Sequence, residues 1–366
     1  MDTILSRYAE LLVYYCLDLK PGDRLYIKTT TLAEPLVREV YRHALRAGAT
    51  IDTELEFREM QQIFLQEAGE KQLQQPPLLY QTAMTQYEAY LHIMAPFHLR
   101  DDFEPAPGKL AIRQAAMKPL NKAFTHRTAT RELKRNLCLF PTPASAQEAG
   151  MSINDYEAFV FDACGLNEPS PIESWLQVRK YQQSIVNYLN TCKEIRYIGP
   201  GTDLRFSTSG RTWINSDGQT NMPSGEVYTS PVEDSVNGVV YFSMPAIFQG
   251  KIVEGVTLWV KNGFIEKWEA EKGKEVLDYI FTLEGTRYFG EAAIGTNYRI
   301  NRQTRNILFD EKIGGTVHLA IGQSYLQTGG KNHSPVHWDM ITDMREGGEI
   351  WANEEKIYEN GFFLAL

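Results

Sequence analysis

The chain has 366 residues, 43% of them apolar and 23% charged, an ordinary globular composition whose length points to two domains rather than one small core. A formal net charge of -9 argues against nucleic acid as the main partner, because phosphate binding needs clustered Lys and Arg. Four scattered cysteines, Cys16, Cys138, Cys164 and Cys192, form no CxxC pair, which removes zinc-ribbon and thioredoxin-like readings and leaves free buried thiols in a reducing compartment.

The start, Met1-Asp2-Thr3, has no basic stretch leading into an apolar core, and no run approaches the length of a membrane span. A cytoplasmic protein with no membrane partner is expected. Leu5, Tyr8, Leu11, Leu12 and Tyr15 recur at helical spacing, and Pro21-Gly22-Asp23 turns the chain into the apolar run Leu25-Tyr26-Ile27. A second amphipathic helix carries Leu36, Val37, Val40, Ala44 and Leu45 and ends near Gly48. Ile51, Thr53, Leu55 and Phe57 then alternate as in a strand. Ala89 to Met94 reads as a strand, as does Leu137 to Phe140, stopped by Pro141. A helix with Trp175, Val178, Ile185 and Leu189 follows the break at Pro169-Ser170-Pro171. Helices alternating with strands predict an α/β domain with a parallel sheet over residues 1–192.

From about residue 194 strands dominate: Glu194–Ile198, Asp203–Thr208, Val239–Phe242, Ile252–Val260 and Thr316–Ile321, with one helix from about Lys272 to Leu283. Gly199-Pro200-Gly201, Asn262-Gly263 and Gly314-Gly315 punctuate them. Residues 193–366 are therefore expected to form a strand-rich α+β domain. Gly199-Pro200-Gly201 fits no dinucleotide fingerprint.

Chemistry-bearing residues concentrate in this second half. Of seven histidines, His318, His333 and His337 lie there. In a strand, His337 and Asp339 share a face, with Cα atoms about 6.5–7 Å apart, and can converge on one metal ion or on two adjacent ones. Trp338 and Met340 then point into the core. The alternative is a His-Asp pair on a solvated strand face. His318 sits in an apolar strand, and Gly322 allows the strand end to turn Tyr325 toward the same place, where a phenol can bind metal or donate to an oxyanion. Glu226 lies where a Pro- and Gly-shaped loop enters a strand. Glu291 is a lone acid among small and apolar residues, a costly position if buried without a partner. Glu226, Glu291 and Asp339 carry three negative charges, a demand that two divalent cations with a bridging hydroxide would meet. Mixed imidazole and carboxylate donors suit zinc, cobalt or manganese. No HExxH helix is present, so the one-zinc protease pattern is absent.

Gly201-Thr202-Asp203-Leu204, Asn221-Met222-Pro223-Ser224-Gly225-Glu226-Val227, Gly290-Glu291-Ala292-Ala293, His318-Leu319-Ala320-Ile321-Gly322 with Tyr325, and His337-Trp338-Asp339-Met340 occur in that order. Tyr8-Ala9-Glu10-Leu11-Leu12-Val13, Pro21-Gly22-Asp23-Arg24 and Phe140-Pro141-Thr142-Pro143 extend the pattern toward the N-terminus. With these motifs the chain resembles the thermophilic-type metalloaminopeptidase family, that of aminopeptidases T and S. The resemblance implies an α/β N-terminal domain and a C-terminal domain holding two divalent metal ions, reported as zinc, cobalt or magnesium. It implies Glu226, Glu291, His318, Tyr325, His337 and Asp339 as metal-binding residues, and a cytoplasmic homodimer that removes single N-terminal residues from peptides. Glu226 and Tyr325 are the candidates for catalysis, and Glu291 for the bridging carboxylate. Site chemistry alone also permits a two-metal hydrolase of a non-peptide substrate, or a metal-stabilised protein without turnover. One departure is visible: Trp351-Ala352-Asn353-Glu354-Glu355 lacks the glycine expected in a turn there.

Overall fold

Leu25, Ile27, Leu91 and Ile93 are all buried and alternate with Tyr26, Lys28, Tyr90 and His92, so two neighbouring strands each present an apolar and a polar face. They belong to the first of two compact units in the computed structural model, which describes residues 3–99, 103 and 106–365. Met1-Asp2, on which the expectation of no leader partly rests, lies outside the described residues.

The first unit comprises the chain up to Ile172 together with Gln219–Met222. Its five strands are all parallel, in the spatial order Thr50–Glu56, Arg24–Thr30, Ala89–Met94, Lys134–Leu139, Asn221–Met222. Helices Ile4–Leu11 and Glu34–Arg46 arise where the apolar spacing predicts them, the first continuing through a wider π turn over Leu12–Cys16. Apolar spacing does not predict the helix Pro107–Ala129. It has almost no amphipathic pattern and contains Pro119, so the period that marks a helix in sequence is missing.

The second unit comprises Glu173–Gly218 and Pro223–Leu366. It has an eight-stranded antiparallel sheet running from Phe264–Glu269 to Phe362–Phe363, and a five-stranded one in the order His337–Asp343, Thr316–Gly322, Phe289–Gly295, Glu226–Thr229, Ile214–Ser216. One apolar core joins them: Leu204, Phe206, Val240 and Leu258 from the larger sheet meet Val227, Ile294, Leu319, Ile321, Trp338 and Met340 from the smaller. Helix residues Ile185, Val186, Leu189, Leu277 and Ile280 complete it.

Two local departures have clear causes. The expected strand Ile252–Val260 is split into Lys251–Val253 and Val256–Lys261 at Gly255, whose φ of 62° breaks the extended run. The hairpin of Glu349–Ala352 with Glu355–Glu359 forms without a glycine, because Asn353 takes the left-handed conformation at φ 54°. Among the described residues no helix is long and apolar enough to cross a membrane.

Candidate metal centre

Strand register builds the site. Glu291 pairs with Ala320, and Ala320 with Asp339, while Gly322 pairs with His337 and Ala293 with both His318 and Tyr228. Gly295 pairs with Glu226. Residues directly opposite one another, and residues two apart, share a face. One face of the five-stranded sheet therefore carries Glu226, Tyr228, Glu291, His318, His337 and Asp339, and the other supplies Trp338, Met340, Leu319, Ile321 and Ile294 to the core. The residues between the polar groups, Ala293, Ala320, Gly295 and Gly322, are small and leave space above the sheet.

Two backbone irregularities aim the side chains. The register shifts between Phe289 and Glu291, a bulge at Gly290 where a Cβ would lie 2.2 Å from the Gln323 carbonyl oxygen. Gly322, at φ 95°, ends the His318 strand and turns the chain toward Tyr325. The loop Gln323–Val336 then returns to His337, whose Nδ1 lies 2.8 Å from the Gln323 carbonyl. A carbonyl only accepts, so Nδ1 carries a proton and Nε2 is the ring nitrogen that faces the site.

All six residues singled out in the sequence converge here. His337 Nε2 is 3.1 Å from Glu291 Oε2 and 3.6 Å from Asp339 Oδ1. His318 Nε2 is 3.4 Å from Glu226 Oε2 and 3.8 Å from Glu291 Oε1. Glu291 thus spans both imidazoles. Tyr325 places its hydroxyl 3.4 Å from His337 Nε2, and its ring lies edge-on to Tyr228, which accepts a hydrogen bond from Gln327. His333 lies on the connecting loop outside this set.

Sequence reasoning missed Glu311 and Lys312. The run Asp310-Glu311-Lys312 ahead of Gly314-Gly315 reads as a solvated turn. Its placement comes from tertiary bonds: the Asn297 amide donates to the Lys312 carbonyl, 3.0 Å, and Asn297 Nδ2 to the Ser224 carbonyl, 2.9 Å. Lys312 is fully buried, with Nζ 3.6 Å from Glu226 Oε1 and hydrogen-bonded to Glu311. Gln182 fixes the entry of the Glu226 strand by donating to the Glu226 carbonyl, 2.9 Å.

Electrostatics mark an unbalanced site. Burial alone would lower His318, yet Glu291, Glu226 and Asp339 outweigh it and raise the imidazole to about 9. His337 is raised well above its ordinary value by Asp339 and Glu291 against the same penalty. Burial would raise Asp339, but His337, His318 and Lys312 bring it down to about 2. Glu311 moves the other way, to about 8, because burial and the carboxylates of Glu226 and Asp339 exceed the pull of Lys312. Tyr325 is partly exposed, and desolvation on its site-facing side together with Glu291, Asp339 and Glu311 holds the phenol well above its ordinary value, so it stays protonated.

The donor set fits divalent metal. Ligand atoms of Glu291, His337 and Asp339 lie within 4.8 Å of one another, as do those of Glu311, His318 and Asp339. Glu226 Oε2 and Asp339 Oδ1 are buried with no hydrogen-bond donor, the state of lone pairs that want a cation. Imidazole with carboxylate is the chemistry of zinc, cobalt and manganese sites.

The chain is similar to known metalloproteases and aminopeptidases. A family model described as thermophilic metalloprotease (M29) matches residues 1–363. Aminopeptidase 2 of Geobacillus stearothermophilus is 29% identical over 381 residues, covering 92% of this chain and 91% of that protein. Aminopeptidase T of Thermus thermophilus is 28% identical over 400 residues, covering 98% and 95%. The solved structure of wild-type AmpT from Thermus thermophilus superposes with a TM-score of 0.83 at 25% identity, over 99% of each chain.

Proposed function

The chain belongs to the thermophilic metalloprotease (M29) family, and on that premise we propose that it is an aminopeptidase removing single residues from the free N-termini of peptides at a centre of two divalent metal ions. The observation that carries the reading is the pair of ligand triads, Glu291-His337-Asp339 and Glu311-His318-Asp339, which share Asp339. Glu226 and Tyr325 join them, and zinc, cobalt, magnesium or manganese are the candidate ions. Such ions supply Lewis-acid polarisation of the scissile carbonyl and a water acidic enough to attack near neutral pH.

The chain's own groups do the rest. The Gln323 carbonyl holds His337 in one tautomer and orientation. Glu226 Oε2 has no donor and can take the proton of the attacking water. The protonated Tyr325 phenol at the edge of the site can donate to the oxyanion that forms on the carbonyl. The surplus of carboxylates attracts the positively charged terminus of a peptide and gives no such welcome to an acylated one. A cytoplasmic homodimer without nucleic-acid or membrane partners completes the proposal, and sedimentation of the purified protein tests its oligomeric part.

The direct test compares an aminoacyl-anilide, its N-acetyl counterpart and nitrophenyl phosphate, with metal content measured on the same protein. The free aminoacyl compound should be cleaved, the other two spared. Chelator should abolish turnover and added ions restore it. Full activity in strong chelator, or equal cleavage of the acetylated compound, would overturn the assignment.

A further inference from the structure

We propose that Lys312 acts as a built-in cation of the metal centre, so that the two triads take divalent ions unequally: tightly at Glu291, His337 and Asp339, and weakly at Glu311, His318 and Asp339. This rests on the two-ion reading above. The argument is one of placement. The Lys312 ammonium is wholly shielded from water, and its close contacts are Glu311 and Glu226 Oε1 at 3.6 Å. Both carboxylates border the second triad: Glu311 is one of its ligands, and Glu226 Oε2 lies 3.4 Å from His318 Nε2. The first triad contains neither.

Lys312 cannot readily swing away. Its amide donates to the Phe309 carbonyl and its own carbonyl accepts from Asn297, both at 3.0 Å, which pins the backbone beneath the Glu226 strand. Gly295 permits this close docking, since a Cβ there would lie 2.2 Å from the Ile313 carbonyl oxygen. An ion entering the second triad must share Glu311 with the ammonium and sit near a like charge in a water-poor site. At such separations the repulsion is large enough to cost at least about tenfold in affinity. The first triad loses much less, because only the shared Asp339 feels both. Lys312 is thus a positioning residue: it holds Glu226 and Glu311 together before metal arrives and sets the order in which ions bind.

The test is calorimetric titration of chelator-stripped full-length protein with Co²⁺ and Zn²⁺, with bound metal counted. Wild type should show one tight and one weaker ion, separated by at least about tenfold. Lys312→Met should strengthen the weaker ion by a similar factor and leave the tighter nearly unchanged, while Lys312→Arg keeps the wild-type gap. Two ions of equal affinity in wild type, or an unimproved second ion in Lys312→Met, would overturn the inference while leaving the two-ion reading standing. Failure of wild type to bind any ion would overturn both. Thermal melts guard against a folding artefact. The Lys312→Met penalty in Tm should be large in chelator, where the carboxylates are uncompensated, and shrink when ions are saturating. An equal penalty in both conditions would mark Lys312 as merely structural and overturn the proposal.

Discussion

Each unit of the molecule gathers carboxylates around a lysine and a histidine, and only one of the two gatherings has the marks of a metal site. In the first unit Lys28 Nζ lies 3.0 Å from Glu56 and 3.4 Å from Glu54, Tyr26 donates to Glu54, and Tyr87 to Asp52. Arg24 grips Glu88 through two nitrogens, at 3.0 and 2.8 Å. Donors and acceptors there come in matched numbers. His92 is lowered from its ordinary value by burial and by Lys28, which together outweigh the opposing pull of Glu56. In the second unit four carboxylates, Glu226, Glu291, Glu311 and Asp339, share the site with one lysine, which pairs only with Glu226 and Glu311, and two buried carboxylate oxygens find no donor. His318 and His337 are raised, although they are as buried as His92 or more so. Carboxylate density is therefore a poor marker of a site. Unmatched negative charge under burial is the informative one.

Neutralising one carboxylate in each cluster tests that contrast most severely. Glu291→Gln removes a charge that spans both imidazoles. It should lower kcat/KM on an aminoacyl-anilide beyond the roughly 10²–10³-fold typical of losing one oxyanion donor, and metal content should fall with it. Glu54→Gln, in the balanced cluster, should leave metal content unchanged. If both variants keep their metal, the contrast between the clusters is wrong.

Tyr325→Phe is expected to cost somewhat less, about 10²-fold in kcat. Here the pairing of readouts decides the role. Metal retained with kcat lowered identifies a donor to the oxyanion, and metal lost identifies a ligand.

A smaller effect concerns how the two clusters are held. Glu54 stands on a regular strand, whereas Glu226 follows Gly225, whose φ of 117° and 2.7 Å Cβ approach to Asn297 Cβ admit no side chain without movement. Gly225→Ala should cost about 2 kcal/mol through backbone strain and overpacking, read as a lowered denaturant midpoint at unchanged m. Retention of wild-type stability would show that the entry to Glu226 is not strained.

Much of this site was legible in the sequence, and the rest was not, for reasons of physics. His337 and Asp339 could be put on one face because strand alternation is local and rigid. Gly322 ahead of Tyr325 was a readable kink. Glu226 and Glu291 could be named from their odd surroundings and from ordered motifs. Glu311 and Lys312 could not, because their neighbours in sequence mimic a solvated charged turn. Hydrogen bonds made across a loop, among them the Asn297 amide to the Lys312 carbonyl, carry them into the site. In the fold, helices Glu34–Arg46 and Pro171–Leu189 announced themselves by apolar spacing, while Pro107–Ala129 has none to announce. The hairpin at Asn353 shows a different limit: its left-handed residue is paid for by a side chain that accepts from the Lys193 and Glu194 amides, at 3.0 and 3.3 Å, a bond that no local rule foresees.

The least of the expected effects is a difference in how the two units respond to pH. His92 is held below its unfolded value of about 6.5. As pH falls through 6.5 the unfolded chain takes up a proton that folded His92 resists, so the first unit loses stability on acidification. His318 has the opposite sign. With metal removed its folded value is about 9, so its contribution is complete below about 6.5 and disappears as pH rises toward 9. Amide hydrogen exchange can follow each unit separately in chelator. Amides of the Arg24–Thr30 and Ala89–Met94 strands should lose protection from pH 7 toward 5, and those of the Thr316–Gly322 and His337–Asp343 strands from pH 6.5 toward 9. Exchange corrected for its intrinsic pH dependence that moves the same way in both units would contradict the charge balance assigned to them. His92→Gln supplies the control, since it should flatten the acid limb of the first unit and leave the alkaline limb of the second in place.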